Sequence, residues 1–164
     1  MDSRSTTSDK RHYNYTERVD LNIVRDEVSK ILSLASHDGQ IMLQGIEGKG
    51  YIYGTGKITE YEEQETDFID PLWDTPYINS TLKKLGMYRT RIMIRSKSVY
   101  SWHADYGPRI HIPVTTNPET NFMVIEDEVI RMPADGRVVW VDTTRYHTFV
   151  NTSKEDRIHI VGCI

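Results

Sequence analysis

Two stretches of this chain, RIHIPVTT at residues 109–116 and RIHIVGCI at residues 157–164, share one alternating pattern. In both, Arg and His fall on one face of an extended chain while isoleucines occupy the opposite face. Similar segments, rich in β-branched and apolar residues, occur at residues 89–96, 121–126, 128–132, 137–142 and 147–151. Turn sequences such as DYGP, TNPET and PADG separate these segments, which is typical of short antiparallel strands. The half of the chain after Gly86 is therefore predicted to fold as a sandwich, barrel or jelly roll.

The first half of the chain carries helical signals instead. Apolar residues recur near helical spacing over residues 21–34, and Asp20 precedes them as a candidate N-cap. A second, shorter helix is predicted over residues 78–85, with Pro76 in its first turn and Gly86 at its C-terminal cap. The fold class that follows is mainly β with an N-terminal α layer.

The remaining segments are interpreted from their composition. Residues 1–18 are Ser/Thr-rich and charged, and we expect them to form a flexible leader. Residues 19–164 are expected to form a single domain, because a chain of 164 residues suits one core. Residues 39–46 and 50–58 are predicted to be strands, and the acidic run at residues 60–70 is predicted to be a solvated loop.

Composition excludes several classes of function. Hydrophobic residues make up 38% and charged residues 27%, and the net charge of −4 gives no reason to expect nucleic acid as a partner. No apolar run is long enough to span a membrane, and residues 1–18 lack the apolar stretch of a secretory signal, so a cytoplasmic location is expected. The lone Cys163 excludes an intramolecular disulfide and is predicted to be a buried structural thiol.

The candidate metal ligands are His103, Asp105 and His147. His103 and Asp105 lie two positions apart, so both side chains can point to the same side of an extended chain. His-x-Asp alone is a weak signal, but followed by a distant His it has the spacing of the facial triad that holds Fe(II) and leaves open coordination positions. A closed structural zinc site usually needs several Cys, which this chain cannot supply.

Arg157 adds a second element to this pattern, on the strand that follows His147. A guanidinium inside a barrel is costly when unpaired, and it can bind a carboxylate through two hydrogen bonds. A metal with open positions and a deep Arg together are what a chelating 2-oxoacid requires. The alternative interpretation is that the Arg and His residues of both RIHI stretches lie on the solvent faces of half-buried strands, the usual antiparallel pattern.

Three segments resemble the aspartyl/asparaginyl β-hydroxylase branch of the Fe(II)/2-oxoglutarate dioxygenases, which includes the free-proline cis-hydroxylases. They are WHADYGPRIHIPVTTNP at residues 102–118, DGRVVWVDTTRYHTFVN at residues 135–151 and DRIHIV at residues 156–161. Residues 76–92 also resemble the family, whereas residues 1–70 hardly do. The resemblance implies a double-stranded β-helix of the jelly-roll or cupin type.

By this resemblance, His103, Asp105 and His147 are the iron ligands and form the catalytic centre. The implied reaction uses O2 to convert the cosubstrate 2-oxoglutarate into succinate and CO2 and to hydroxylate a substrate C–H bond. The expected substrate is a small molecule or a peptide.

The resemblance also implies a binding site for 2-oxoglutarate. Arg157 would hold the distal carboxylate, and Arg109 and His111 would contact the cosubstrate near its metal-chelating end. Some family members use a Ser on the strand before His-x-Asp for the same purpose, but this chain has Ile92 or its neighbours there.

Three functional classes remain open. The first is a 2-oxoglutarate hydroxylase that acts on a free amino acid, a peptide or a protein side chain, with Arg91 and Arg95 as candidates to bind a substrate carboxylate. The second is a cupin-type metalloprotein, such as an isomerase or a 2-oxoglutarate-independent dioxygenase, which has no need of Arg157. The third is a binding module that has kept the barrel and lost activity, and the intact triad argues against it.

Overall fold

The computed structural model describes residues 12–49 and 63–164 of the chain. Two α-helices, α1 (Leu21–Leu34) and α2 (Pro76–Lys84), lie in its first half. The strands within the described ranges are β1 (Tyr13–Arg18), β2 (Gln40–Met42), β3 (Gln44–Gly45), β4 (Asp70–Pro71), β5 (Tyr88–Arg95), β6 (Ser98–Val99), β7 (Arg109–Thr115), β8 (Asn121–Ile125), β9 (Glu128–Ile130), β10 (Arg137–Val141), β11 (His147–Asn151) and β12 (Arg157–Cys163).

These strands form two main antiparallel sheets. The larger sheet has the strand order β1-β10-β7-β12-β5-β2, the smaller has the order β6-β11-β8-β9, and β3 and β4 form a short ribbon. β12 lies inside the larger sheet, because it pairs with β5 on one side and with β7 on the other. The mainly β architecture with an N-terminal α layer is therefore confirmed.

The two helices cover one face of the larger sheet. The apolar stripe of each helix packs against the isoleucines of β5, β7 and β12 in one cluster, which includes Val24, Val28, Ile31, Ile78, Leu82, Ile92, Ile110, Ile112 and Ile160. Burial of this apolar area is the main force that holds the helices on the sheet. The opposite face of the same sheet, which carries the Arg and His residues, is turned towards the smaller sheet.

Specific caps fix where the helices begin. The side chain of Asp20 accepts a hydrogen bond from the backbone N–H of Asn22 (3.0 Å), as the sequence predicts for an N-cap of α1. The first N–H groups of α2 are satisfied from α1, since Tyr77 and Ile78 donate to the carboxylate of Glu27 (3.0 and 2.7 Å). No helix in the described part of the chain is long and apolar enough to cross a membrane.

The N-terminal segment differs from its prediction. Tyr13–Arg18 form strand β1, which pairs antiparallel with β10, so the prediction of a flexible leader over residues 1–18 is wrong for this part. Residues 1–11 lie outside the described residues. His12, just before this strand, is buried, and its Nε2 lies 3.7 Å from a carboxylate oxygen of Glu126. The strand was missed because its pairing partner, β10, lies far along the chain.

Two further predictions concern the strands within residues 39–58 and the acidic run at residues 60–70. The predicted strand at residues 39–46 is divided at Leu43 into β2 and β3, and the predicted strand at residues 50–58 lies outside the described residues. The described part of the acidic run is not simply a solvated loop. It contains the short 3₁₀ turn Glu65–Asp67, and Phe68 directly after it is completely buried.

Candidate metal centre

A pair of backbone hydrogen bonds places the two candidate histidine ligands opposite each other. The N–H of His103 donates to the carbonyl of His147 (3.1 Å), and the N–H of His147 donates to the carbonyl of His103 (2.9 Å). The N–H of Asp105 donates to the carbonyl of Thr143 (2.8 Å), which ties the next residue of the motif to the same neighbouring segment. The loop before β7 is therefore held against the start of β11 in a fixed register.

The three side chains then converge at one point. The candidate ligand atoms of His103, Asp105 and His147 all lie within 4.8 Å of one another. The Nδ1 of His103 faces the carbonyl oxygen of Ser101 (2.7 Å), and the Nδ1 of His147 faces that of Arg145 (2.9 Å). Because a carbonyl can only accept, both Nδ1 atoms carry the proton, which leaves each Nε2 lone pair free for a metal.

The chemistry of this donor set fits a divalent transition metal. Two neutral imidazoles and one carboxylate make up the facial triad of non-haem Fe(II) sites. Burial lowers the pKa of His147, and the neighbouring His103 lowers it further, so the neutral, metal-binding form of His147 persists to lower pH than in an exposed histidine. Asp105 supplies the negative charge that a divalent cation requires.

A cavity of about 100 Å³ extends from these ligands between the two sheets. Both sheets contribute to its wall, with Phe149 from the smaller sheet and Val161 from the larger. All six residues that the sequence nominates for metal and cosubstrate lie around it, namely His103, Asp105, Arg109, His111, His147 and Arg157.

Arg157 lies buried in the wall of this cavity, with only 6% of the residue exposed. One Nη donates to the Nδ1 of His159 (2.7 Å), and the guanidinium carbon lies 3.9 Å from the centre of the Phe149 ring. No Asp or Glu forms an ion pair with it in the described ranges. Burial lowers its pKa to about 9, so the side chain is still a cation at neutral pH. A buried cation of this kind needs an anion from elsewhere.

His111 and His159 lie beside Arg157 and are also buried. The Nδ1 atoms of the two rings are 3.4 Å apart. Burial, followed by the charge of Arg157, holds the pKa of each ring well below its ordinary value, so both are neutral at physiological pH. The interpretation of these strand faces as solvent faces is therefore wrong, because the larger sheet is buried on both sides.

Arg109 connects the cosubstrate side of the cavity to the metal side. Its Nε lies 3.3 Å from a carboxylate oxygen of Asp105, and one Nη lies 2.9 Å from the sulfur of Cys163. Its other Nη lies 3.8 Å from Glu65 in the 3₁₀ turn. Cys163 is buried as predicted, and burial raises the pKa of its thiol to about 11.

Sequence reasoning missed Glu65 and Arg89, which contact each other and flank Arg109. The carboxylate of Glu65 lies 2.7 Å from Arg89 and reaches Arg109 from the same oxygen. No local signal marks Glu65, because it stands in an acidic run whose simplest interpretation is a solvated loop. Phe68, an apolar residue three positions after Glu65, is a sequence signal that the acidic run returns to the core. In the structure Phe68 is completely buried.

The two arginines nominated for a substrate carboxylate behave differently. Arg95 is already engaged, since it donates to the hydroxyl of Tyr100 (2.8 Å) and to the carbonyl of Asp38 (3.1 Å). Arg91 lines the cavity, and its buried Nε has no hydrogen-bond partner in the described part of the chain. Burial lowers the pKa of Arg91, and the charge of Arg89 lowers it further. Of the two arginines, Arg91 is therefore the one that remains available to bind a substrate carboxylate.

Comparisons with known proteins give matches at the level of structure. No family model and no curated sequence matches this chain. An oxidoreductase of the 2OG-Fe(II) oxygenase family from Burkholderia pseudomallei matches with a TM-score of 0.54 and 12% identity, over 94% of this chain and 84% of that one. AviO1 from Streptomyces viridochromogenes Tue57 matches with a TM-score of 0.55 and 13% identity, over 93% and 90% of the two chains. At such identities the likeness concerns the fold, and it confirms the double-stranded β-helix.

Proposed function

We propose that this protein is an Fe(II)- and 2-oxoglutarate-dependent dioxygenase of the aspartyl/asparaginyl β-hydroxylase type. It hydroxylates an unactivated C–H bond of an amino acid or of a peptide or protein side chain, and it releases succinate and CO2. One observation carries the proposal: Arg157 is a buried cation without an acidic partner in the described residues, and it shares a cavity with the three metal-ligand candidates. The distal carboxylate of a chelated 2-oxoacid is an anion that fits this arrangement.

In this proposal His103, Asp105 and His147 hold the metal. When bound, ferrous iron and 2-oxoglutarate together activate O2 and supply the oxidant for hydroxylation. The chain itself binds, orients and shields the reactants. In a cupin-type metalloprotein that uses no oxoacid, the buried charge of Arg157 would have no oxoacid carboxylate to pair with.

The residues around Arg157 prepare it to bind a carboxylate. His159 accepts one of its hydrogen bonds and Phe149 packs against its face, so the guanidinium is held in one orientation before any ligand arrives. His111 stays neutral, which prevents a further positive charge beside it. The cosubstrate then meets a preorganised cation in a low-dielectric wall, where a charge-assisted hydrogen bond is strong.

The substrate is proposed to carry a carboxylate that pairs with Arg91. This assignment is supported by the position of Arg91 in the cavity wall and by its unpartnered Nε. Asp105, the carboxylate that acts electrostatically on Arg91, already lies against Arg109. A free amino acid or an acidic side chain would supply the missing negative charge.

The test is succinate formation from 2-oxoglutarate by the Fe(II)-loaded protein, screened against a panel of amino acids and peptides. We expect a product heavier by one oxygen, formed one-to-one with succinate. Absence of any 2-oxoglutarate turnover with every substrate, despite bound iron, would contradict the dioxygenase proposal. Oxidation confined to nucleobases, lipids or sugars would contradict the substrate assignment alone.

A further inference from the structure

A series of side chains of alternating charge connects the acidic segment to the metal centre. The side chain of Glu65 is only 18% exposed, and its Oε1 lies 2.7 Å from Arg89 and 3.8 Å from an Nη of Arg109. The Nε of Arg109 lies in turn 3.3 Å from Asp105. The guanidinium of Arg109 is therefore shared between two carboxylates, one of which is a candidate metal ligand.

The turn that carries Glu65 is firmly anchored. Phe68 is completely buried, its N–H donates to the carbonyl of Glu65 (3.3 Å), and its own carbonyl accepts from the N–H of Arg89 (2.8 Å). Arg89 has a backbone φ of +47°, a conformation that non-glycine residues rarely adopt. The structure thus maintains a strained residue at the place where its side chain meets Glu65.

This arrangement affects the carboxylate of Asp105. A guanidinium that pairs closely with Asp105 competes with a metal for the same lone pairs, and its positive charge repels a divalent cation. Glu65 counteracts both effects, because it attracts the far end of Arg109 and partly neutralises its charge. Without Glu65, Asp105 would be the one remaining carboxylate paired with Arg109 among the described residues.

We propose that Glu65 is a positioning residue for the metal centre, acting through Arg109 to keep the carboxylate of Asp105 oriented and available for the metal. This inference rests on the proposed function, since it takes Asp105 as a metal ligand. It assigns to the segment around Glu65, which is remote from the ligands in sequence, a direct influence on metal affinity.

The experiment measures Mn²⁺ binding to the metal-free full chain, using the electron paramagnetic resonance signal of the free ion. We expect Glu65→Gln to weaken Mn²⁺ binding about tenfold, the usual size of an effect from a residue behind a metal ligand. Glu63→Gln is the matched control, because Glu63 lies on the same segment and pairs with Lys49. It should leave the affinity unchanged.

A double-mutant cycle separates positioning from a structural role. In an Arg109→Met background, Glu65→Gln should change Mn²⁺ affinity by less than about twofold, because the route to Asp105 is gone. If Glu65→Gln does not fold, Glu65→Asp keeps the charge but withdraws the carboxylate from Arg109, and it should also weaken binding. An unchanged affinity in the folded Glu65 variants, or an equal fall in both backgrounds, would overturn the positioning role. Absence of Mn²⁺ binding by the unmodified protein would overturn the metal centre itself and this proposal with it.

Discussion

The proton on Nδ1 decides what each candidate histidine ligand can do. In His103 and His147 it is held by a backbone carbonyl, so each ring offers only Nε2 to a metal. We predict that His103→Ala or His147→Ala loses stoichiometric Fe(II) and all turnover, since the two remaining ligands cannot hold the metal against water. The measurement is metal analysis after dialysis, with the exposed His37→Ala as control. Full iron occupancy in both ligand variants would contradict the site.

Arg157 gives the second prediction for a single residue. Arg157→Ala should weaken 2-oxoglutarate binding while leaving the metal nearly intact, because loss of one partner of a buried charge pair costs on the order of 2–5 kcal/mol. The titration is made anaerobically and followed by the charge-transfer absorbance of the iron complex. Arg137→Ala is the control, since Arg137 pairs with Asp135 away from the cavity. An unchanged affinity would move the carboxylate site, with Arg109 as the next candidate.

At the scale of single residues, the sequence predicts the roles of those residues whose neighbours are fixed by local backbone geometry. The alternation in RIHI fixes which side chains share a strand face, and His-x-Asp brings two donors to one side. It does not predict Glu65, because the contact of Glu65 with Arg89 joins two segments that only the folded sheet brings together. Nor does it show that Arg95 is occupied, since one of its acceptors is the carbonyl of the distant Asp38.

At the scale of elements, α2 depends on α1 to satisfy its first backbone N–H groups. Thr75 stands at the N-cap of α2 without a side-chain capping bond, and Glu27 of α1 accepts from the first N–H groups instead. We predict that Glu27→Ala lowers the free energy of unfolding by about 1–3 kcal/mol, because half-buried N–H groups lose their acceptor. Urea unfolding of the metal-free protein measures this. The neighbouring exposed Asp26→Ala should change stability by less than about 0.5 kcal/mol, and equal losses in both would contradict the capping role.

The elements that are predicted correctly are those whose own sequence has a strong periodicity of apolar residues. The helix predicted over residues 21–34 has the same bounds as α1, since its apolar stripe and Asp20 are local signals. β1 was missed, because a short strand with little apolar alternation is stabilised by pairing with β10 rather than by its own sequence. The division of β2 from β3 at Leu43 is likewise a consequence of tertiary pairing.

At the scale of the molecule, the two-sided burial of the larger sheet determines where the site lies. One face is covered by helices and the other closes over the cavity, so alternation in β12 separates an apolar core from a polar wall rather than core from solvent. Alternation alone fits both situations, and that is why the solvent-face interpretation remained open from the sequence. The choice between them depends on the second sheet, whose position the spacing of strands does not specify.

The same burial makes the stability of the whole protein depend on pH. His111 and His159 are 4% and 1% exposed, and burial followed by the charge of Arg157 depresses the pKa of each in the folded state. In the unfolded chain both have a pKa of about 6.5. Below that pH the unfolded state takes up protons that the folded state does not, so acidification lowers the free energy of unfolding by up to about 1.4 kcal/mol per pH unit for each histidine. Urea unfolding of the metal-free protein between pH 7 and 5 (about the range where histidine titrates) should therefore give a steeper pH dependence than that of His159→Gln. Parallel pH profiles for the two proteins would show that His159 can be protonated in the folded state and would contradict the buried, neutral arrangement around Arg157.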